Sequence, residues 1–66
     1  MKQVSLEDYA ARIEELNEIG GIAASVEDSC LDIYRTMDAE GMVLTEMRTN
    51  AEMKMEYFIQ PKETNG

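Results

Sequence analysis

Carboxylates are the groups this chain holds in quantity. Glu14 and Glu18, and again Asp28 and Asp32, stand four residues apart. On a helix that spacing brings two carboxylates to about 5–6 Å on one face. Such pairs do general acid–base work where burial or crowding drives their pKa values apart. Both pairs fall away from the apolar stripe of their segment, so they read as a solvated helix face. The chain contains no histidine, which removes the commonest general base and the commonest metal ligand. A calcium loop would need alternating oxygen ligands around a glycine turn, and no such run exists. Cys30, the single cysteine, has neither a histidine nor a second thiol to work with. It lies on an apolar stripe, reads as a small buried hydrophobe, and suits a reducing compartment. No catalytic residue, cofactor or metal ligand is expected. Of the six methionines, Met37, Met42 and Met47 fit a core or its edge, which leaves Met53 and Met55 for a protein-binding surface.

Helices are the elements expected to position these groups. Ser5 supplies an N-cap with Asp8 three residues on, a short-armed capping box, with Val4 and Tyr9 at the staple positions. Leu6, Tyr9, Ala10, Ile13 and Leu16 then recur at three- and four-residue spacing, with Glu7, Glu14, Glu15 and Glu18 on the opposite arc. Gly20 and Gly21 end the segment, since glycine accepts the left-handed conformation of a helix C-cap. Ser25 with Asp28 repeats the start signal, Val26, Cys30, Ile33, Tyr34 and Met37 form a second stripe, and Gly41 repeats the stop. The pattern predicts a mainly α fold: an antiparallel helical hairpin, about 6–19 and 26–40, its two stripes facing each other.

The third segment reads two ways. Thr49-Asn50-Ala51-Glu52 fits another capping box before a stretch that stops at Pro61, which predicts a short helix at about 50–60. Met53, Met55, Tyr57 and Ile59 also alternate with Lys54, Glu56 and Gln60, the period of a half-buried strand. The alternative is therefore an α+β fold with a C-terminal β-hairpin over 42–59.

At 66 residues the chain is one small domain, about 1–60, with a polar and flexible tail at 61–66. So short a chain has little apolar material for a core and is expected to be marginally stable or to lean on a partner. The N-terminus runs straight into Glu7 and Asp8, with no apolar stretch of signal-peptide length. Apolar runs such as Ile22–Ala24, Met42–Leu44 and Tyr57–Ile59 reach three residues, where a membrane span needs about twenty. A soluble, cytoplasmic protein is expected. The net charge of −8 argues against direct binding of nucleic acid or of an anionic membrane, both of which need a basic footprint.

The charge is unevenly spread. Residues 7–40 hold ten acids and two bases, and the rest of the chain holds four of each. Rows of carboxylates about 5–6 Å apart on two helices would imitate successive phosphates and offer a substitute polyanion to a basic protein groove. The expected function is a small, non-enzymatic protein-binding module of the phage-inhibitor type. It would occupy the nucleic-acid-binding surface of a larger basic partner through Glu14, Glu15, Glu18, Asp28 and Asp32, with Met53 and Tyr57 as apolar contacts. The alternative is a helical assembly or packaging subunit that self-associates. Leu31, Met53 and Tyr57 motivate it, because none fits the internal stripe of its own helix. The stretch 31–50, with Leu31-Asp32-Ile33-Tyr34 leading to Glu40-Gly41-Met42-Val43, resembles part of the small-terminase family of tailed phages. That resemblance carries no catalytic motif and implies a phage or prophage origin.

Overall fold

A computed structural model describes residues 1–30 and 32–61. The chain passes through strand β1 (Lys2–Val4), helix α1 (Leu6–Glu18) and strands β2 (Ala24–Asp28), β3 (Ile33–Met37), β4 (Val43–Thr49) and β5 (Met55–Ile59). All neighbouring strands pair antiparallel in one sheet, in the order β1-β5-β4-β3-β2. The fold is α+β, and the mainly α helical hairpin is corrected.

α1 forms where the sequence places its first helix. The Ser5 hydroxyl accepts from the Asp8 amide at 3.2 Å. At the other end Gly20 takes φ +66, its amide donates to the Asn17 carbonyl at 3.2 Å, and the Gly21 amide donates to Leu16 at 2.9 Å. This is a Schellman stop.

The helices expected at 26–40 and 50–60 do not form. Val26, Ile33, Tyr34 and Met37 satisfy a helical spacing, but Ile33-Tyr34-Arg35-Thr36-Met37 is also a run of β-branched and aromatic residues that pack well on a pleated surface. Turn chemistry decides between the two. Asp28, Asp38 and Asn50 each turn a side-chain oxygen onto the backbone amide two residues on: Cys30 at 3.0 Å, Glu40 at 2.9 Å and Glu52 at 2.8 Å. These Asx turns open the three hairpin loops. Asp28 is therefore a turn residue rather than the second member of a helix cap, and Asn50 displaces Thr49 as the organiser of the third segment.

Two of these loops are built alike. In Asp38-Ala39-Glu40-Gly41-Met42 the Asp38 carboxylate also accepts from the Met42 amide at 2.9 Å, and Gly41 takes φ +83. In Asn50-Ala51-Glu52-Met53-Lys54 the Asn50 side-chain oxygen Oδ1 accepts from the Lys54 amide at 3.0 Å, and Met53 takes φ +64. Each is a tight turn followed by a left-handed residue, a common way to close a hairpin of this length. The side chain at Met53 carries the steric penalty that Gly41 avoids.

Strand pairing sorts the side chains onto two faces. Glu27, Tyr34, Met47 and Tyr57 stand in register across β2, β3, β4 and β5, and Thr36, Thr45 and Ile59 form the next row on the same face. The opposite face carries Arg35, Glu46, Phe58, Arg48 and Glu56. β1 ends at Val4 beside Tyr57, whereas β2 begins at Ala24 beside Met37, at the other edge and the other end of the sheet. The connecting helix must cross the first face diagonally, and it packs chiefly on β5. Under it lie the buried Tyr9 and Leu16, together with Thr36 and Thr45, whose hydroxyls are 2.8 Å apart. Of the tail expected at 61–66, Pro61 is exposed and the remainder lies outside the described residues.

Candidate protein-binding surface

The expected site residues do not converge on one acidic hairpin. Glu14 and Glu18 are exposed on α1, where helical spacing does place them as neighbours. Glu15 is half-buried beside Arg12, with which it forms an ion pair. Asp28 and Asp32 belong to the β2–β3 hairpin. Asp28 holds its turn, and Asp32 is exposed with φ +52, a conformation that aspartate tolerates better than most residues. The second row of carboxylates, and with it the paired-helix imitation of a phosphate strand, is therefore absent as drawn from the sequence.

The apolar contacts also separate. Met53 sits at the tip of the β4–β5 turn and is 83% exposed. Tyr57 lies on the helix-covered face, its ring centroid 5.3 Å from that of Tyr9, and so is engaged inside the molecule. Leu31, the third residue behind the self-association reading, lies outside the described residues. Cys30 is exposed rather than buried, because its segment is a turn and has no inward stripe. β5 pairs with β4 over Met55–Ile59 and with β1 over Tyr57–Ile59, so its edge is closed on both sides from Tyr57 to Ile59.

Burial on the covered face raises the Tyr9 phenol above its ordinary value. The Thr45 hydroxyl pulls the other way, and the neighbouring Tyr34 and Tyr57 add to the rise. All three tyrosines of the chain thus gather on this face around the Thr36–Thr45 pair, with Tyr9 held as a neutral phenol.

The opposite face is a ladder of charge. Arg35 Nε donates to Glu46 at 2.8 Å, Arg48 reaches Glu46 and Glu56 at 3.5 Å, and the Arg48 guanidinium stands 4.5 Å over the Phe58 ring. The ladder balances two cations against two anions, so it adds no net charge. It also occupies two of the six basic residues of the chain. Among the described residues, Glu7, Asp8, Glu14, Glu18, Glu27, Asp32, Asp38, Glu40 and Glu52 make no ion pair. The excess negative charge is therefore carried by α1 and by the hairpin turns at both ends of the sheet.

The diagonal helix leaves two corners of its face uncovered. One is a groove of about 240 Å³ floored by Tyr34, Met47 and Met55 and rimmed by Glu27, Asp28 and Asp32. The other lies between α1 and the end of β5, beside Arg12, Glu15 and Ile59. Helical spacing does not bring the residues of the first corner together. Its signal was the alternation of Tyr34 with Arg35 and of Met47 with Arg48, which a helical reading treats as noise. Among the described residues no group of three or more acidic or cysteine side chains could hold a metal ion, and no helix is long and apolar enough to cross a membrane. Comparison with family models, with curated proteins and with solved structures gives no match for this chain.

Proposed function

We propose that this protein is a small, cytoplasmic, non-enzymatic binding module of the phage-inhibitor type, whose carboxylates occupy the basic, nucleic-acid-binding surface of a larger partner. The observation that carries the reading is the sorting of charge. The strand arginines are balanced within one face, while Glu7, Glu14 and Glu18 on α1 and Glu27 and Asp32 on the β2–β3 hairpin are exposed and, among the described residues, make no ion pair. A basic groove meeting this surface gains Coulombic attraction and speed of encounter, and it is denied to nucleic acid while covered. The phage setting rests on the resemblance of residues 31–50 to the small-terminase family.

The test is capture on the tagged protein from its native host lysate at 50 mM and at about 300 mM salt, with mass spectrometry of what elutes. A nucleic-acid-binding protein retained at low salt and released at high salt is the expected result. The triple variant Glu14→Lys, Glu18→Lys and Asp32→Asn is expected to lose that protein, with circular dichroism unchanged because all three side chains are exposed. Retention of the same partner by the triple variant overturns the proposal.

A further inference from the structure

We infer that the free edge of β2, with the acidic corner beside it, receives an extended basic segment of a partner protein as a sixth strand of the sheet. The inference rests on the proposed function and specifies how its partner is held.

The sheet has two edges. β1 offers three residues, whereas β2 offers five, Ala24–Asp28, all of them exposed. The outer side of an edge strand is a row of unpaired backbone donors and acceptors, and an added strand is its natural complement. A second copy of this chain is a poor occupant, because each brings a net charge of −8. A basic strand is a good one. Glu27 stands on the helix-covered face, directly across from Tyr34, and Tyr34 stands across from Met47. This row runs into the groove floored by Tyr34, Met47 and Met55, which α1 leaves bare and which, among the described residues, no basic side chain lines. A lysine or arginine opposite Glu27 on a docked strand would make a cross-strand ion pair and extend its side chain toward the Tyr34 ring. Asp32 at the end of the groove adds to the same field. Backbone pairing along β2 then supplies affinity, and the acidic, aromatic corner selects the cationic side chain.

The experiment uses the full-length protein labelled with nitrogen-15 and a capped peptide of alternating lysine and valine. A second peptide of the same sequence is N-methylated at every residue, which keeps its charge and removes its strand donors on both edges. The unmodified peptide is expected to shift the amides of Ala24–Asp28, Tyr34 and Met47 and to slow hydrogen exchange along β2. The methylated peptide is expected to lose this effect. Glu27→Lys is expected to weaken binding about tenfold, and Glu40→Lys, exposed in the β3–β4 loop at the other end of the sheet, is expected to leave it nearly unchanged. Equal binding of the two peptides, or shifts confined to α1, overturns strand addition while leaving acidic binding intact. Binding of neither peptide at millimolar concentration also overturns it, and the lysate capture judges the broader proposal separately.

Discussion

The two faces of the sheet use different physics. The covered face is held by burial. Tyr9 and Leu16 close over Thr36 and Thr45, which are 1% and 0% exposed, and a polar pair therefore sits at the centre of a very small core. The open face is held by solvated ion pairs, its arginine side chains 42% and 46% exposed. Burying a side chain removes water from apolar surface and leaves any unmet polar group costly. An exposed ion pair exchanges one favourable environment for another and contributes little. Stability should accordingly come from the covered face, while the open face holds its charges in balanced, solvated pairs.

The largest separation between the faces is expected at Leu16, which is 4% exposed. Leu16→Ala should cost about 2–5 kcal/mol through lost transfer energy and an incompletely collapsed cavity. In a domain this small that is comparable with total stability, so urea unfolding should show a midpoint close to zero denaturant. A loss under ~1 kcal/mol would mean that α1 does not hold the sheet, and the contrast would fail at its strongest point.

The Thr36–Thr45 hydroxyl pair sharpens the contrast further. Thr45→Val keeps the shape and leaves the Thr36 hydroxyl buried without its 2.8 Å partner, at a cost of ~1–3 kcal/mol. Adding Thr36→Val removes that orphaned group but leaves the buried Tyr9 phenol without the Thr45 hydroxyl, so the double variant should recover part of that loss. A double-mutant cycle by chemical denaturation measures the coupling. Additive losses would show that the two hydroxyls do not depend on each other.

How much of this was legible in the sequence depends on what kind of signal each element carries. α1 has two independent ones, an N-cap at Ser5 and a glycine stop at Gly20, and both occur with the expected hydrogen bonds. The β2–β3 hairpin was hidden because aspartate serves equally at a helix cap and at an Asx turn, and Ser25 with Asp28 satisfies the cap pattern without making it. The β4–β5 turn was hidden differently. Its sequence matches the Asp38–Met42 loop at Ala-Glu, but Met53 replaces the glycine that would have marked a left-handed position. Read with the first loop as a template, Asn50-Ala51-Glu52 announces a second hairpin rather than a helix cap. For the candidate surface, the sign and concentration of charge follow from composition alone. The separation of Glu14 and Glu18 from Asp28 and Asp32, and the engagement of Tyr57 by Tyr9, depend on strand pairing that no local spacing encodes.

The smallest expected effect is on the open face, at Glu46. This carboxylate bridges Arg35 and Arg48, and its side chain is the least exposed of the ladder at 13%. Glu46→Ala removes both contacts, but it leaves two arginines that already reach water and can solvate at little cost. Arg48 also keeps Glu56 and its place over Phe58. The expected loss is ~0.5–1 kcal/mol at low salt, shrinking as added salt screens the remaining charges. Thermal unfolding of both proteins at low and at high salt gives the comparison. A salt-insensitive loss of ~3 kcal/mol would place Glu46 with the buried groups, because an uncompensated charge would then have been left out of reach of solvent, and the assignment of burial to one face and solvated pairing to the other would have to be given up.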